Sequence, residues 1–266
     1  MFPGLLFLAY SLTEHGGVRL FQILKSGTGS GVEDGYDNHE GGLVGPIYAV
    51  FLYAIGAKIQ FVLALVMSLL GGKRIGVIAI LVGLASIFLF RKAAALKKRR
   101  NRFIFLLATL GVINIAVSNM IYISQYSYES LRMSVSIEEI MLGRYKIGSE
   151  MTRAIDSRSP VESLIGFGPG GADALATRVS AGTLKEPHND WLKILYDYGI
   201  LGSIAITVFI ALVFSTSATG AVIAIASAIL MTTDIVVMYF YYQFPIVLMV
   251  GCSALRESRA RGTVQR

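Results

Sequence analysis

The stretch that decides the fold runs from residue 75 to residue 123 and reads IGVIAILVGLASIFLF, then RKAAALKKRRNR, then FIFLLATLGVINIAVSNMIYI. Its two outer parts, residues 75–90 and 103–123, come close to or reach the length of a bilayer-crossing α-helix, roughly 17 to 25 apolar residues. The middle part, residues 91–102, is rich in lysine and arginine and contains no acidic residue. We therefore predict two membrane-spanning helices joined by a short basic loop.

The composition of the whole chain agrees with a membrane protein. Of the 266 residues, 54% are hydrophobic and 15% are charged, and the mean hydropathy is +0.63. Water-soluble domains have about a quarter of their residues charged, so a soluble fold is excluded. The net charge of +7 is not read as nucleic-acid binding, because the cytoplasmic loops of membrane proteins collect lysine and arginine. Cys252 has no partner cysteine, which excludes a disulfide framework.

The basic segments fix the orientation. Short loops rich in lysine and arginine lie on the cytoplasmic side of the membrane, so we place residues 91–102 and the arginine-rich C-terminal tail there. The helix at residues 103–123 then runs outward, and residues 124–198 form a large extracytoplasmic loop. Upstream, the apolar block at residues 43–70 is long for one helix and short for two. The acidic loop before it, residues 13–42, fits the outside better, which favours two short helices that turn at Lys58 on the inside.

The predicted fold class is all-α, a polytopic membrane protein with about eight transmembrane helices, one large extracytoplasmic loop and both termini in the cytoplasm. The predicted spans are residues 1–12, two in residues 43–70, and residues 75–90, 103–123, 199–216, 219–237 and 239–255. We divide the chain into N-terminal membrane helices (1–123), the loop with amphipathic helices (124–198), and C-terminal membrane helices with a basic tail (199–266).

The extracytoplasmic loop has its own pattern. Residues 137–155 have the apolar spacing of an amphipathic helix, which we expect on the membrane surface or over a cavity. Ser159-Pro160 is a helix-start signal or a turn, and residues 166–171, GFGPGG, are turn-rich; we call these six residues the glycine strip. The strip lacks the Gly-Lys-Ser/Thr ending of a phosphate-binding loop. Asn189 is predicted to cap a helix that breaks at Gly199.

The order of these features resembles the C-terminal part of the O-antigen ligase and O-antigen polymerase superfamily. The matching pieces are Leu142-Gly143-Arg144, Ile165-Gly166-Phe167-Gly168-Pro169-Gly170, Pro187-His188-Asn189-Asp190-Trp191-Leu192 and Tyr198-Gly199-Ile200-Leu201-Gly202. Gly72-Lys73-Arg74-Ile75 resembles the family's arginine motif at the start of an earlier span. The resemblance covers roughly residues 38–255.

The resemblance implies a GT-C-like glycosyltransferase in the bacterial inner membrane, with its active site on the periplasmic side. The donor would be a polyprenyl-diphosphate-linked glycan. The acceptor would be a growing glycan for a polymerase, or lipid A–core or a protein for a ligase. It implies no cofactor and no metal. The scattered histidines His15 and His39, without cysteine ligands, also argue against a metal site. Nucleic acid is not expected as a partner, whereas membrane lipid is.

Glycan transfer from a diphosphate needs a proton acceptor and positive charge near the leaving group. Histidine can accept a proton at physiological pH, so His188 is the candidate catalytic base. Arginine pairs with phosphate oxygens through its planar fork. The candidate pyrophosphate-binding residues are Arg74, Arg144 and Lys73, and the candidate supporting residues are Asn189, Gly168 and Gly170. The lesser candidates are Arg132, Arg153, Arg158 and Arg178, which we expect on the surface rather than in the site.

Three alternatives stay open at this stage. The motifs do not separate a polymerase from a ligase, and we favour the polymerase. A transporter is the rival from another class. It would place ionisable residues deep in its spans, and few such residues occur in the predicted spans of this sequence. A non-catalytic membrane partner derived from the enzyme family is the third alternative.

Overall fold

A computed structural model describes residues 39–70, 74–131, 144–182, 184–232, 236 and 240–264. Within this part of the chain, the regular structure is helical throughout, as predicted. We number the α-helices in chain order: α1 His39–Ile55, α2 Lys58–Leu70, α3 Arg74–Lys92, α4 Arg99–Leu131, α5 Arg144–Asp156, α6 Pro160–Ile165, α7 Gly171–Val179, α8 Asp190–Phe214, α9 Ala218–Leu230 and α10 Phe240–Val264. A short 3₁₀ helix at Ala94–Lys97 lies between α3 and α4.

Three of the described helices are long and apolar enough to cross a membrane. Their apolar segments are Ile75–Lys92 in α3, Arg99–Val117 in α4 and Asp190–Phe214 in α8. Three more are apolar but shorter, at Val44–Ile55, Lys58–Leu69 and Ala218–Leu230. The described part therefore has the character of a polytopic membrane protein, while the predicted number of about eight spans is not reached within it. The predicted span at residues 1–12 lies outside the described residues.

Helix α9 forms the centre of the bundle. Its sequence ATGAVIAIASAIL is apolar on every side, and a helix with that composition is stable only where neighbours surround it. Ten of its residues are buried, from Gly220 to Ala228 and Leu230. It packs on α1, α3, α4, α8 and α10. The alternation of alanine and glycine with isoleucine and valine lets these helices approach α9 closely.

The outer surface of the bundle is apolar. Large hydrophobic side chains on α2, α4, α8 and α10 are exposed, among them Ile59 at 75%, Ile115 at 67%, Phe209 at 64% and Val247 at 66%. A soluble monomer rarely exposes large contiguous apolar patches. These faces therefore agree with contact to lipid.

One end of the bundle is tied together by Arg102 near the start of α4. The side chain is 1% exposed, and its Nε donates to the carbonyl oxygen of Ser215 at 3.0 Å. Its Nη2 donates to the carbonyl oxygen of Thr216 at 3.2 Å, and its Nη1 lies 3.1 Å from a carboxylate oxygen of Glu257. One buried guanidinium thus joins the basic loop, the turn between α8 and α9, and α10. We call this the basic end.

The turn between α1 and α2 lies at the same end. It falls at Gly56 and Ala57, directly before Lys58, so the predicted division of residues 43–70 into two short helices is confirmed. Arg256 of α10 donates to the carbonyl oxygen of Ile55 at 3.3 Å. These contacts bring together the segments that the predicted topology assigns to the cytoplasm; the side of the membrane on which they lie stays a prediction.

Several helix boundaries differ from the predicted spans, and two of them bear on the large loop. Helix α4 continues to Leu131, eight residues beyond the predicted end at residue 123, because the polar residues that follow are still compatible with a helix. Helix α8 begins at Asp190 and runs through the predicted break to Phe214, with Gly199 as a non-helical kink inside it. The large loop therefore shares one helix with the membrane bundle.

Candidate functional site

The candidate base His188 lies at the mouth of α8, where Asn189 caps the helix. The side-chain oxygen of Asn189 accepts a hydrogen bond from the backbone N–H of Leu192 at 3.0 Å. Its backbone is extended, with φ −155° and ψ 104°, which is the usual conformation of a capping residue. The predicted capping role of Asn189 is confirmed.

His188 has an unusual backbone conformation. Its φ of 51° lies in the left-handed region, which residues other than glycine seldom adopt. Its neighbours Pro187 and Asp190 are buried, whereas His188 itself is partly exposed. Residues held in such sparsely populated conformations concentrate at functional sites. The conformation of His188 is therefore compatible with its proposed role and was not visible in the sequence.

Two anchors fix the start of α8 to the end of α9. The backbone N–H of Asp190 donates to the carbonyl oxygen of Met231 at 3.0 Å, and Oδ2 of Asp190 accepts from the N–H of Val236 at 2.7 Å. The indole Nε1 of Trp191, fully buried, donates to the carbonyl oxygen of Ala228 at 3.0 Å. The position of His188 relative to the membrane bundle is thereby defined by the residues two and three positions after it, Asp190 and Trp191.

The glycine strip folds directly onto α8. The N–H of Phe167 donates to the carbonyl oxygen of Tyr196 at 3.0 Å, and the N–H of Gly168 donates to that of Asp197 at 2.9 Å. Gly166 has φ 79°, and a Cβ atom there would lie 2.3 Å from the carbonyl oxygen of Asp197. Only glycine permits this approach of two backbones.

The Gly-x-x-Gly motif at residues 199–202 forms the part of α8 that contacts α6. Gly199 has φ 63° and ψ −164°, so it kinks α8 at the point where the sequence predicts a break. A Cβ at Gly199 would lie 2.5 Å from the carbonyl oxygen of Leu164, and one at Gly202 would lie 2.2 Å from Cβ of Tyr198. Gly199 forms the kink and contacts α6, while Gly202 leaves room for the side chain of Tyr198.

Asp197 contacts the glycine strip and caps α7, the helix that directly follows the strip. Its Oδ1 accepts from the N–H of Ala172 at 2.8 Å and its Oδ2 from the N–H of Gly170 at 3.4 Å, at the N-terminus of α7. A helix N-terminus attracts anions through its free N–H groups and its dipole. Here the chain's own carboxylate, 1% exposed, occupies these donors. The glycine strip is thus a turn, as its sequence favoured, rather than an open phosphate loop.

Lys193 neutralises this buried acid. Its Nζ lies 3.5 Å from Oδ2 of Asp197 and 2.5 Å from Oδ1 of Asp173 on α7. Lys193 and Asp197 were not recognised as candidates in the sequence. A signal was present, because a lysine and an aspartate four residues apart lie on one helical face, and both interrupt an otherwise apolar segment.

Arg158 connects the strip to α8 from the other side. Its Nη1 donates to the carbonyl oxygen of Leu195 at 2.9 Å and its Nη2 to that of Tyr196 at 2.7 Å. The guanidinium carbon lies 4.4 Å from the ring centroid of Phe167. Partial burial lowers the pKa of Arg158, but an arginine remains cationic at neutral pH. Arg158 is partly exposed, and it also has a structural role that the sequence did not indicate, because it pairs with two carbonyl groups of α8 beside the kink at Gly199.

Helix α5 closes the arrangement from outside. Ile147 and Met151 are buried in a small second core with Leu175 of α7 and with Leu192 and Tyr196 of α8. On the opposite face of the helix, the side chain of Arg153 is 73% exposed. The predicted amphipathic helix is therefore present over Arg144–Asp156, and its apolar face is covered by the chain itself rather than by lipid. Residues 132–143 lie outside the described part.

Residues 144–182 and 184–199 thus form one packed body, which we call the loop unit. His188 is about 37 Å along the 25-residue helix α8 from the basic end, and the loop unit extends from there to Gly199. The loop unit contains His188, Asn189, Gly168 and Gly170. Lys73 lies outside the described residues. Arg74 is the first residue of α3 and Arg144 the first residue of α5, and for both the description covers the backbone alone. Their convergence on His188 stays a prediction.

Within the described part of the chain, no group of three histidine, cysteine, aspartate or glutamate side chains could hold a metal ion. No protein-family model, no curated protein and no solved structure matches the chain. The resemblance to the O-antigen ligase and polymerase superfamily therefore depends on the motifs quoted above.

Proposed function

We propose that this protein is a GT-C-like membrane glycosyltransferase of about eight spans that acts in surface polysaccharide assembly. It would transfer glycan from a polyprenyl-diphosphate-linked donor to an acceptor glycan at the outer face of the bacterial inner membrane. One observation supports this most. Three motif pieces that are separate in the sequence, residues 165–170, residues 187–192 and the Tyr198-Gly199 start of residues 198–202, lie in the single loop unit that carries His188.

The proposed reaction uses His188 as the general base. The acceptor hydroxyl oxygen forms a bond to the anomeric carbon of the donor sugar, and its proton passes to the imidazole. The bond between that carbon and the phosphate oxygen breaks, and its electron pair leaves with the polyprenyl diphosphate. General-base catalysis of this kind contributes typically 10²- to 10⁴-fold to a rate.

Arg74, Lys73 and Arg144 are proposed to bind the pyrophosphate. Their positive charge would stabilise the negative charge that develops on the leaving group. The N–H groups of Gly170 and Ala172 do not take part in this, because Asp197 accepts their hydrogen bonds. Cationic side chains, rather than the backbone of the strip, are therefore the proposed donors to the diphosphate.

The direct test is transfer of glycan from a lipid-linked donor by the purified full-length protein. We expect His188→Ala to lose about 10²-fold or more of the activity, and Arg74→Ala and Arg144→Ala to lose activity as well. His39→Ala, at the start of α1, and Arg153→Ala, exposed on α5, are the matched controls and should retain it. Unchanged glycan banding in all three site variants would refute the enzyme proposal in favour of a transporter or a non-catalytic partner.

Deletion of the gene separates the two acceptor classes, with surface polysaccharide examined by electrophoresis. Loss of long chains, with one repeat retained on lipid A–core, identifies a polymerase, which is the version we propose. Loss of all attached glycan, with accumulation of lipid-linked polymer, identifies a ligase. Either result keeps the donor chemistry and the role of His188.

A further inference from the structure

The basic end carries a concentration of exposed positive charge. The exposed basic side chains from the end of α3 to the first turn of α4 are Arg91, Lys92, Lys97, Lys98, Arg99 and Arg100. Those on α10 include Arg256 and Arg259. Positive charge alone is common on the cytoplasmic side of membrane proteins. A defined depression within it is a more specific feature.

Such a depression of about 250 Å³ is lined by Arg99, Thr216, Ala254 and Ser258. These residues come from three elements: the first turn of α4, the turn between α8 and α9, and α10. The elements are held in place by the adjacent Arg102, which donates to the carbonyl oxygen of Thr216 and pairs with Glu257. The depression is therefore built by a fixed junction rather than by surface side chains alone.

The lining chemistry suits a phosphodiester that also carries a hydroxyl group. Arg99 offers a cationic fork for phosphate oxygens, and Ser258 offers a hydroxyl donor. The hydroxyl of Thr216 already donates to the carbonyl oxygen of Val213 at 2.8 Å, so its oxygen is left to accept a hydrogen bond from a ligand. The nearest acid, Glu257, is engaged by Arg102 and by the N–H of Ala218 at 3.0 Å.

Exposed apolar side chains continue from the depression along the same helices. Ile104 on α4 is 56% exposed, Leu212 on α8 is 47% exposed and Leu255 on α10 is 62% exposed. They lie within one or two turns of Arg99, Thr216 and Ser258. A ligand with a charged head in the depression could therefore place hydrocarbon chains on these surfaces, whereas a free anion would leave them unused.

We propose that this depression binds the headgroup of an anionic phospholipid with a hydroxylated head, for which phosphatidylglycerol is the probe. Basic pockets between membrane helices on the cytoplasmic side bind anionic lipid headgroups by this chemistry. Arg99 contacts the phosphate, Ser258 donates to it, and Thr216 accepts from the glycerol hydroxyl. This site is independent of the proposed glycan transfer, since it lies at the other end of α8.

The experiment measures binding of phosphatidylglycerol to the full-length, delipidated protein in detergent by native mass spectrometry, with phosphatidylcholine as the neutral comparison. We expect Arg99→Gln to weaken phosphatidylglycerol binding about tenfold, the effect of losing a charged hydrogen bond, and Ser258→Ala to weaken it less. Arg100→Gln, which removes the same charge from outside the lining, should change binding no more than about threefold at 0.15 M salt.

Two results would overturn the proposal. Equal losses in Arg99→Gln and Arg100→Gln would mean that the surface attracts anionic lipid through general charge only. Binding of glycerol 3-phosphate as tight as that of the lipid would assign the depression to a soluble phosphate ester. Arg99 is exposed, so Arg99→Gln is expected to fold, and an unchanged thermal unfolding curve verifies this.

Discussion

The buried carboxylate of Asp197 accepts a hydrogen bond from the backbone N–H of Ala172, 25 residues earlier in the chain, at 2.8 Å. The same carboxylate lies 3.5 Å from the Nζ atom of Lys193. It therefore holds the glycine strip and α7 against the helix that begins beside His188. An internal anion here performs the task that a bound phosphate performs in a phosphate-binding loop.

Replacement of Asp197 by asparagine should loosen the loop unit. The amide keeps the shape but loses the charge that Lys193 and the helix N-terminus stabilise, so we expect a loss of about 2 kcal/mol or more in stability. Trp191 is the only tryptophan of the chain, and its emission on heating in detergent reports the unfolding. Glu150→Gln, in an exposed pair with Arg153, is the control and should cost less than about 1 kcal/mol.

Gly166→Ala should disrupt the close backbone contact between the glycine strip and α8. The new Cβ would overlap the carbonyl group of Asp197, and the left-handed backbone adds about 1 to 2 kcal/mol for an L-residue. Gly111→Ala in α4 is the matched control, because a Cβ there meets nothing within 4 Å, and alanine favours a helix interior. Limited proteolysis between α5 and α8 compares the two. Equal resistance to cleavage would contradict the close contact.

Asn189→Ala should separate the capping role from chemistry. Loss of the N-cap costs about 1 kcal/mol and releases the chain segment that holds His188. Asn189→Asp keeps an oxygen acceptor for the N–H of Leu192 and should retain both stability and activity. If Asn189→Ala lowers glycan transfer and Asn189→Asp does not, Asn189 acts by positioning. Loss of transfer in both variants, with normal unfolding, would instead give the amide a direct role in the reaction.

The start of α6 should respond to acid. The Glu162 carboxylate accepts from the N–H and the hydroxyl of Ser159 at 2.9 Å and 2.8 Å; these bonds lower its pKa from the ordinary value of 4.5. A lowered pKa in the folded state stabilises the protein above pH 4.5, and this contribution is lost as the pH falls through the lowered value. Proteolysis near residue 159 between pH 3 and pH 6 should show the change. Glu162→Gln should remove it, and a persisting pH response in that variant would assign it to another group.

Arg102→Met should destabilise the membrane bundle far more than Arg100→Met. Methionine is similar in length but removes the donor to four backbone carbonyl oxygens and the cationic partner of Glu257, so we expect a loss of about 3 to 5 kcal/mol, as for other broken buried pairs. Arg100 is exposed, and its replacement should cost less than about 1 kcal/mol. Unfolding in detergent, followed by helical circular dichroism, measures both.

Much of this arrangement was predictable, because the features that carry it are local. Apolar length and clustered charge are properties of single segments, and they predicted the helices on both sides of residues 91–102. Local chemistry also predicted the cap at Asn189, the helix start at Ser159 and the break at Gly199. Each of these depends on residues within one or two turns.

The contacts between segments were not predictable in the same way. Lys193 and Asp197 become recognisable as a pair by their spacing, but nothing in their neighbourhood indicates that Asp197 caps a helix at Gly170. Arg102 was one basic residue among several in the loop, and its burial depends on partners 113 residues or more later in the chain. The positive φ of His188 likewise lies beside residues Asp190 and Trp191, whose hydrogen-bond acceptors are at the end of α9, far along the chain.

The burial of Arg102 has a consequence for how the chain is made. During synthesis α4 enters the membrane long before Ser215, Thr216 and Glu257 exist, so its guanidinium must remain hydrated at the membrane surface until α8, α9 and α10 arrive. Transfer of that cation from water to these acceptors is therefore a late step of biogenesis. A chain halted before residue 215 would therefore keep a hydrated arginine at a position that is 1% exposed in the finished bundle.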